Sequence, residues 1–247
     1  MQVNASDIWP QETNAEREAG IKAGIKAGTE TEAARISEEV TCQLEAFVEA
    51  REDWIYKDYG TSPCSYAVYD LDGDGRLELL AQVTAGTGLF SENHFYRVKA
   101  SGGIEELPQE YYAEYAQFEI DGGPGREIYK DRESSTVYFM ASDRTKNGLV
   151  GELLSEGAFY VKDGLVHSVV YRGSYEPPEK GGLGESAYYD GEGNQISREK
   201  WEQLYEDFLK DKEKLSCDIC FQRMETAETE RMTDAELLRM LAESYGK

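Results

Sequence analysis

The sequence is poor in cysteine, proline and basic residues, and it contains no long apolar run. Four cysteines in 247 residues are too few for a disulfide scaffold. No apolar stretch reaches the ~18 residues that a membrane-spanning helix needs, so we expect no membrane span. The first residues show neither the basic nor the apolar region of a secretory signal peptide. We therefore expect a location outside the cell or in the cell envelope if a leader has been removed, and in the cytoplasm otherwise.

Negative charge dominates the composition. The chain has 49 acidic and 26 basic residues, which gives a formal net charge of −23. A field of this sign repels the phosphates of nucleic acids and anionic lipid headgroups, so we expect no nucleic-acid partner. Most of this charge is expected to form a solvated surface. Hydrophobic residues nevertheless make up 40% of the chain, which is enough for a folded core.

The N-terminal part of the chain divides into a flexible segment and a helix. The only recurrent pattern in residues 1–30 places glycine at every fourth position, and glycine costs a helix about 1 kcal/mol relative to alanine. We predict an acidic flexible leader or linker there. Apolar residues at three- and four-residue spacing predict a helix within residues 31–59. Residues 31–247 are predicted to form a single α+β domain.

Strand patterns dominate the middle of the chain, and helical patterns return near its end. Short alternating segments separated by polar turns continue as far as residue 172, and Asp163-Gly164 is typical of a tight hairpin turn. Residues 111–120 fit either a helix or a strand, and residues 217–224 fit a further strand. Ser197 and Thr233 are predicted to begin two helices. The resulting prediction is an α+β fold: an antiparallel β-meander with one N-terminal helix and two C-terminal helices.

The strongest chemical signal is an acidic loop inside the predicted hairpin of residues 65–84. Oxygen atoms on alternate loop residues can converge on one cation, and calcium takes six to eight oxygens at about 2.3–2.6 Å. The twelfth loop position, a glutamate in EF-hands, is Ala81, and the flanks are strands, so this is not an EF-hand. We expect a weak structural calcium site with a dissociation constant of about 10⁻⁴–10⁻³ M. The predicted ligands are Asp70, Asp72, Asp74, the backbone carbonyl of Arg76, and Glu78.

Two stretches resemble a known group of proteins. The run Tyr66-Ala-Val-Tyr-Asp-Leu-Asp-Gly-Asp-Gly-Arg-Leu-Glu-Leu-Leu resembles the Asp-x-Asp-x-Asp-Gly-x-x-Asp/Glu-Leu calcium loop of FG-GAP and VCBS-type repeats and, more distantly, of dockerins. It also looks like secreted proteins and lipoproteins of gut Firmicutes that carry one such hairpin after an N-terminal helix. Residues 188–201 are similar to the entry of that family's C-terminal helix. The family is mostly of unknown function, and the resemblance implies a structural rather than a catalytic calcium.

The four cysteines leave three alternatives open. Cys217 and Cys220 form a Cys-x-x-Cys pair that fits zinc or redox chemistry, and Cys42 with Cys64 could complete a zinc site by number. The second alternative is a disulfide among the four. The third is a set of unreactive thiols, which we favour because there is no second paired motif and no thioredoxin-like context.

Other candidate residues have weaker signals. His94 and His167, the only histidines, lie in strand patterns and are predicted to be ordinary packed or exposed strand residues. Residues 190–194 resemble a second calcium loop but are predicted to be a polar turn. Aromatic residues in predicted loops fit either a platform for a glycan or peptide or the core of the domain. These residues are Phe90, Tyr111, Tyr112, Tyr115, Tyr175 and Tyr188.

We expect a calcium-stabilised binding or interaction protein without catalytic activity, outside the cell or in the cell envelope. Its expected partner is a protein, peptide or glycan, and it is expected to be a monomer. One alternative is an extracellular hydrolase with a structural calcium, which needs convergent carboxylates or a nucleophile–base pair. The other is a cytoplasmic acidic partner that, for instance, neutralises a basic toxin. Net charge favours this second alternative, but cytosolic calcium is too low for a weak site.

Overall fold

The structure, a computed structural model, covers seven stretches of the chain. It describes residues 36–55, 62–85, 90–110, 127–147, 151–178, 185–215 and 221–245. The predicted leader over residues 1–30, the ambiguous segment 111–120, and the pair Cys217 and Cys220 lie outside these residues.

Helices lie at both ends of the described chain, with most strands between them. The helices are α1 (Glu38–Glu49), α2 (Arg51–Trp54), α3 (Arg198–Leu209), α4 (Thr226–Arg231) and α5 (Asp234–Ser244). The strands are β1 (Pro63–Tyr69), β2 (Glu78–Ala85), β3 (Phe90–Val98), β4 (Ile104–Glu106), β5 (Gln109–Glu110), β6 (Ile128–Asp131), β7 (Val137–Asn147), β8 (Gly151–Lys162), β9 (Leu165–Glu176), β10 (Ala187–Asp190), β11 (Gln195–Ile196), β12 (Lys212–Lys214) and β13 (Gln222–Glu225). Among the described helices, none has the length and apolar character required to cross a membrane.

The strands form two sheets. Sheet A has the order β13-β1-β2-β3-β4, and sheet B has the order β11-β10-β9-β8-β7-β6-β12, with β5 parallel to β9. The other strand pairs are antiparallel, and most neighbours are consecutive in the chain. The predicted α+β class and antiparallel meander are therefore confirmed. The division into two sheets and the short additional helix α4 were not predicted.

Alternation along the strands places sheet A between the helices and sheet B. In β1, Tyr66 and Val68 belong to the core beneath the helices, whereas Ala67 belongs to the core shared with sheet B. This follows from the opposite directions of successive side chains in a strand. Because both faces of sheet A are covered, β1 is buried without interruption from Cys64 to Val68.

Aromatic rings fill the space between the sheets. Phe159 of β8 contacts Phe95 of β3 edge to face, with ring centroids 5.3 Å apart. It also stacks on Phe139 of β7, with centroids 5.2 Å apart. Phe139 in turn lies edge to face with Tyr69 of β1. Residues from both sheets thus share one core, whose buried members are Ala67, Leu71, Leu80, Phe95, Leu107, Ile128, Val137, Phe139, Ala141, Phe159, Val161 and Val166.

Helices cover the outer face of each sheet to different extents. Leu44 and Phe47 of α1 and Leu237 and Leu241 of α5 are buried against sheet A. The apolar residues of α3 are only half-buried on sheet B; they are Trp201, Leu204, Tyr205, Phe208 and Leu209. The difference arises because α1 and α5 pack against each other as well as against sheet A, whereas the main contacts of α3 are with strands of sheet B.

Local side-chain contacts begin two of the helices as the sequence predicts. Ser197 accepts a hydrogen bond from the amide of Lys200 at the start of α3. Thr233 and Glu236 form the reciprocal capping box of α5. A contact that was not predicted comes from Arg51, which donates hydrogen bonds to carbonyls at the end of α4 and thereby holds α2 to the C-terminal helices.

A β-bulge in β9 directs two adjacent side chains towards α3. Glu156 pairs with Arg172 and Gly157 pairs with Val170, which leaves Tyr171 as the extra residue. The Arg172 guanidinium consequently lies 3.8 Å from the centroid of the Trp201 ring and forms an ion pair with Glu156 at 2.6 Å. The bulge therefore anchors α3 through a cation–π contact.

The shared core predicts a large difference between two apolar substitutions in sheet B. Phe139→Ala should lower the free energy of unfolding by about 3–5 kcal/mol, because it opens a cavity between the sheets. Leu153→Ala is the matched control, since Leu153 is 52% exposed, and it should change the value by only about 0.5 kcal/mol. Urea unfolding measures both. Equal losses would contradict the position of Phe139 in a shared core.

Candidate metal centre

The acidic loop connects β1 to β2 at one end of sheet A. The two strands pair in register from Cys64 with Val83 to Tyr69 with Glu78, so the chain must reverse within residues 70–77. Gly73 and Gly75 adopt positive φ angles of 75° and 87°, which glycine accommodates without a Cβ penalty. The predicted hairpin of residues 65–84 is therefore present, with the acidic side chains at its turn.

Asp70 organises the backbone of the turn. Its Oδ1 accepts hydrogen bonds from the amides of Gly73 at 2.8 Å and Asp74 at 3.1 Å, and its Oδ2 accepts one from Gly75 at 3.0 Å. Burial raises the pKa of Asp70, against the effect of these amides. The loop thus holds a half-buried carboxylate whose ionised form would benefit from a nearby cation.

Three carboxylates converge at this turn. Asp70, Asp72 and Glu78 each offer one oxygen, and these oxygens lie within 4.8 Å of one another. In the predicted calcium loop, Asp70 and Asp72 are the first and third residues, and Glu78 is the ninth. Carboxylates this close repel one another unless a positive charge lies among them.

Arg97 of β3 supplies a positive charge to this group from the neighbouring strand. Glu78 and Arg97 are direct register partners, and the Arg97 Nε donates to Glu78 at 2.6 Å. The Arg97 guanidinium also contacts Asp72. Glu78 is fully buried and accepts a second hydrogen bond from the Leu71 amide at 2.8 Å. Burial raises the pKa of Glu78, while the contacts with Leu71 and Arg97 oppose that rise.

Asp74 and Arg76, the other two predicted ligand residues, pair with each other. Asp74 accepts hydrogen bonds from the Arg76 amide and from its Nε, both at 2.8 Å. Partial burial opposes ionisation of Asp74, but the hydrogen bonds and charge of Arg76 outweigh it and lower the pKa. The carboxylate of Asp74 is thus outside the converging group of three.

The chemistry of the converging group fits a hard divalent cation. When ionised, Asp70, Asp72 and Glu78 carry two more negative charges than the single Arg97 guanidinium balances. All the donors are oxygen atoms, which calcium and magnesium prefer. Calcium tolerates irregular loop geometry better than magnesium does. The residues present therefore fit a hard divalent cation such as calcium, which would supply charge neutralisation at the turn.

Gln43 of α1 is a residue at this site that sequence reasoning missed. Its Nε2 donates to the carbonyl of Gly75 at 2.9 Å, and its Oε1 accepts from the amide of Leu77 at 2.7 Å. A single polar residue on a helix gives no sequence signal for such a contact. Arg97 had a weak signal, because it and Glu78 are opposite charges within apolar stretches of two successive strands.

The described cysteines have different environments. Cys42 is exposed on α1, whereas Cys64 is buried in β1, and both are free thiols. The sulfur of Cys64 lies 3.0 Å from the Thr226 hydroxyl, and burial raises the pKa of the Cys64 thiol. The environment of Cys64 favours an unreactive thiol at that position.

The remaining candidates lie in ordinary secondary structure. His94 pairs with Glu106 at 2.8 Å, and His167 pairs with Glu110 at 3.1 Å, as expected of histidines in strands. Residues 190–194 form the predicted polar turn between β10 and β11, in which Asp190 accepts from the amides of Glu192 and Asn194. Of the proposed aromatic platform, the described side chains are those of Tyr175 and Tyr188, which are half-buried on neighbouring strands β9 and β10.

Comparisons with known proteins provide no relative for this chain. No family model matches it, and neither does any curated protein or solved structure. The resemblance noted in the sequence remains a prediction, and any function must be argued from the residues themselves.

The buried ion pair predicts a strongly non-additive response to mutation. Arg97→Met leaves the Glu78 carboxylate buried without its cation and should cost about 3–5 kcal/mol of unfolding free energy. Combining it with Glu78→Gln removes the unpaired charge and keeps an acceptor for the Leu71 amide. The double variant should therefore lose less than the sum of the single losses. Urea unfolding in EDTA measures all four proteins of the cycle.

The control for this cycle is the pair of exposed Arg144 and half-buried Glu152, whose nitrogen and oxygen lie 3.3 Å apart. Arg144→Met should cost at most about 1 kcal/mol, as for other solvent-exposed pairs. Strict additivity at Arg97 and Glu78 would show that the two charges do not stabilise each other.

Proposed function

We propose that the protein is a calcium-stabilised binding or interaction module without catalytic activity. The observation that carries this proposal is the convergence of Asp70, Asp72 and Glu78 at the β1–β2 turn. Their spacing matches the first, third and ninth positions of a calcium loop, and excess negative charge remains beside Arg97. An ion here would hold a turn in place rather than take part in a reaction.

The ligands would come from both the converging group and its neighbours. Asp70, Asp72 and Glu78 would contribute carboxylate oxygens, and Arg76 would contribute its backbone carbonyl. Asp74 would join them only by giving up its contacts with Arg76. An ion bound in this way would offset the repulsion among the carboxylates and would favour their ionised forms.

The proposed structural role follows from what the turn contacts. Glu78 and Arg97 connect the turn to β3, and Gln43 connects it to α1. An ion that orders the turn would therefore stabilise sheet A and its helix together. A site of this kind needs calcium near the millimolar range, which supports a location outside the cell or in the cell envelope.

The proposed partner is a protein, peptide or glycan bound by a monomer. Net charge of −23 favours a neutral or positively charged partner. Strands β8 and β9 continue beyond the core between the sheets, and there exposed Leu153 lies opposite Tyr175. Leu153 and Tyr175 would provide apolar contacts for such a partner at this end of sheet B.

Calcium should raise the melting temperature of the wild-type protein. At 10 mM calcium, a dissociation constant of ~10⁻⁴–10⁻³ M corresponds to about 1.4–2.7 kcal/mol of stabilisation. For a chain of this size that is a rise of about 3–10 °C. Differential scanning calorimetry with calcium and with EDTA measures the shift. Coincident curves would refute the calcium proposal.

Substitutions in the loop identify the ligands. Asp72→Asn removes one carboxylate of the converging group and should abolish most of the calcium shift. Asp74→Asn should reduce the shift as well if Asp74 moves from Arg76 to the ion. Asp190→Asn is the matched control, because Asp190 accepts the same kind of turn hydrogen bonds outside the cluster. Its calcium shift should equal that of the wild type.

A further inference from the structure

We infer that Gln43 is a positioning residue for the ion: it fixes the direction of the Arg76 backbone carbonyl and couples ion binding to helix α1. This inference rests on the proposed calcium site and adds a residue outside the loop to it. Gln43 lies on α1, more than thirty residues before the groups it contacts. Gln43 is proposed to orient a ligand of the ion, and it is not proposed as a ligand itself.

The two hydrogen bonds of Gln43 lie on either side of Arg76. The Gly75 carbonyl accepts from the Gln43 Nε2, so this carbonyl points towards α1. The Leu77 amide donates to the Gln43 Oε1, so this N–H also points towards α1. In a trans peptide the carbonyl points opposite to the following N–H, and no described peptide is cis. The Arg76 carbonyl is therefore turned away from α1.

This orientation matters because a backbone carbonyl at this loop position is an expected calcium ligand. A peptide that rotated freely would have to be ordered when the ion binds, at a cost in conformational entropy. Gln43 orders it beforehand by bonding to both neighbouring peptide groups. Outer partners that orient ligands in this way typically change metal affinity by about 10–100-fold when removed.

The same contacts link the ion to the helical layer. The neighbours of Gln43 in α1, Leu44 and Phe47, are buried in the core beneath the helices together with Leu237 and Leu241 of α5. Because Gln43 bonds to the loop, ordering the loop also orders Gln43 and α1. Calcium binding must therefore stabilise α1, and by thermodynamic linkage an ordered α1 must raise calcium affinity by the same factor.

The experiment compares the wild type with Gln43→Met, which keeps the side-chain length but loses both hydrogen bonds. Calcium chloride is titrated while the melting temperature and the hydrogen exchange of α1 amides are followed. Wild-type α1 amides should exchange more slowly with calcium. In Gln43→Met the calcium midpoint should rise about tenfold or more, and the calcium-dependent protection of α1 should be lost.

The outcomes separate the two proposals. A wild type that does not respond to calcium overturns the proposed function. A wild type that responds, with a Gln43→Met variant of unchanged midpoint and protection, overturns the role of Gln43 alone. A Gln43→Met variant that melts at a lower temperature in EDTA but keeps the wild-type calcium midpoint also overturns the role of Gln43. Such a result would show that Gln43 stabilises the fold without affecting calcium binding. Gln203→Met on α3 is the control, since Gln203 bonds to Asp207 of its own helix and lies outside the turn.

Discussion

The pairing of Glu78 with Arg97 fixes how the acidic turn sits on the two sheets. Both residues lie in sheet A on the side that faces sheet B, and Arg97 is 4% exposed. A carboxylate this deeply buried costs several kcal/mol unless a cation and hydrogen bonds compensate it. Arg97 and the Leu71 amide provide that compensation. The pair therefore fixes the start of β2 beneath the turn, and Asp70 and Asp72 are placed relative to it.

The sequence was sufficient for the elements whose signals are local. Thr233 and Glu236 identified the capping box of α5, Asp163 and Gly164 identified the turn of the longest hairpin, and the alternating aspartates identified the acidic turn. Each of these depends on residues within a few positions of one another. The α+β class followed from the order of such elements along the chain.

The features that sequence reasoning missed depend on contacts between distant segments. The sequence of β1 does not show that its two faces pack against different layers. A strand buried on both faces has the same sequence pattern as any other short apolar segment. The bulge at Tyr171 depends on the register against β8. Gln43 looks like any polar helix residue until α1 is placed over the turn. Glu78 matched the ligand pattern, but its burial beside Arg97 required the pairing of β2 with β3.

The placement of β13 beside β1 affects the order in which the chain can fold. Sheet B is built mainly from hairpins, which can pair as soon as they leave the ribosome. Sheet A has β1 near its start, yet β1 is flanked by β13 and covered by α5 from the last part of the described chain. Contacts so far apart in sequence form slowly. During synthesis, the part of the β1–β2 face that α5 covers must therefore stay exposed until the last part of the described chain has been made.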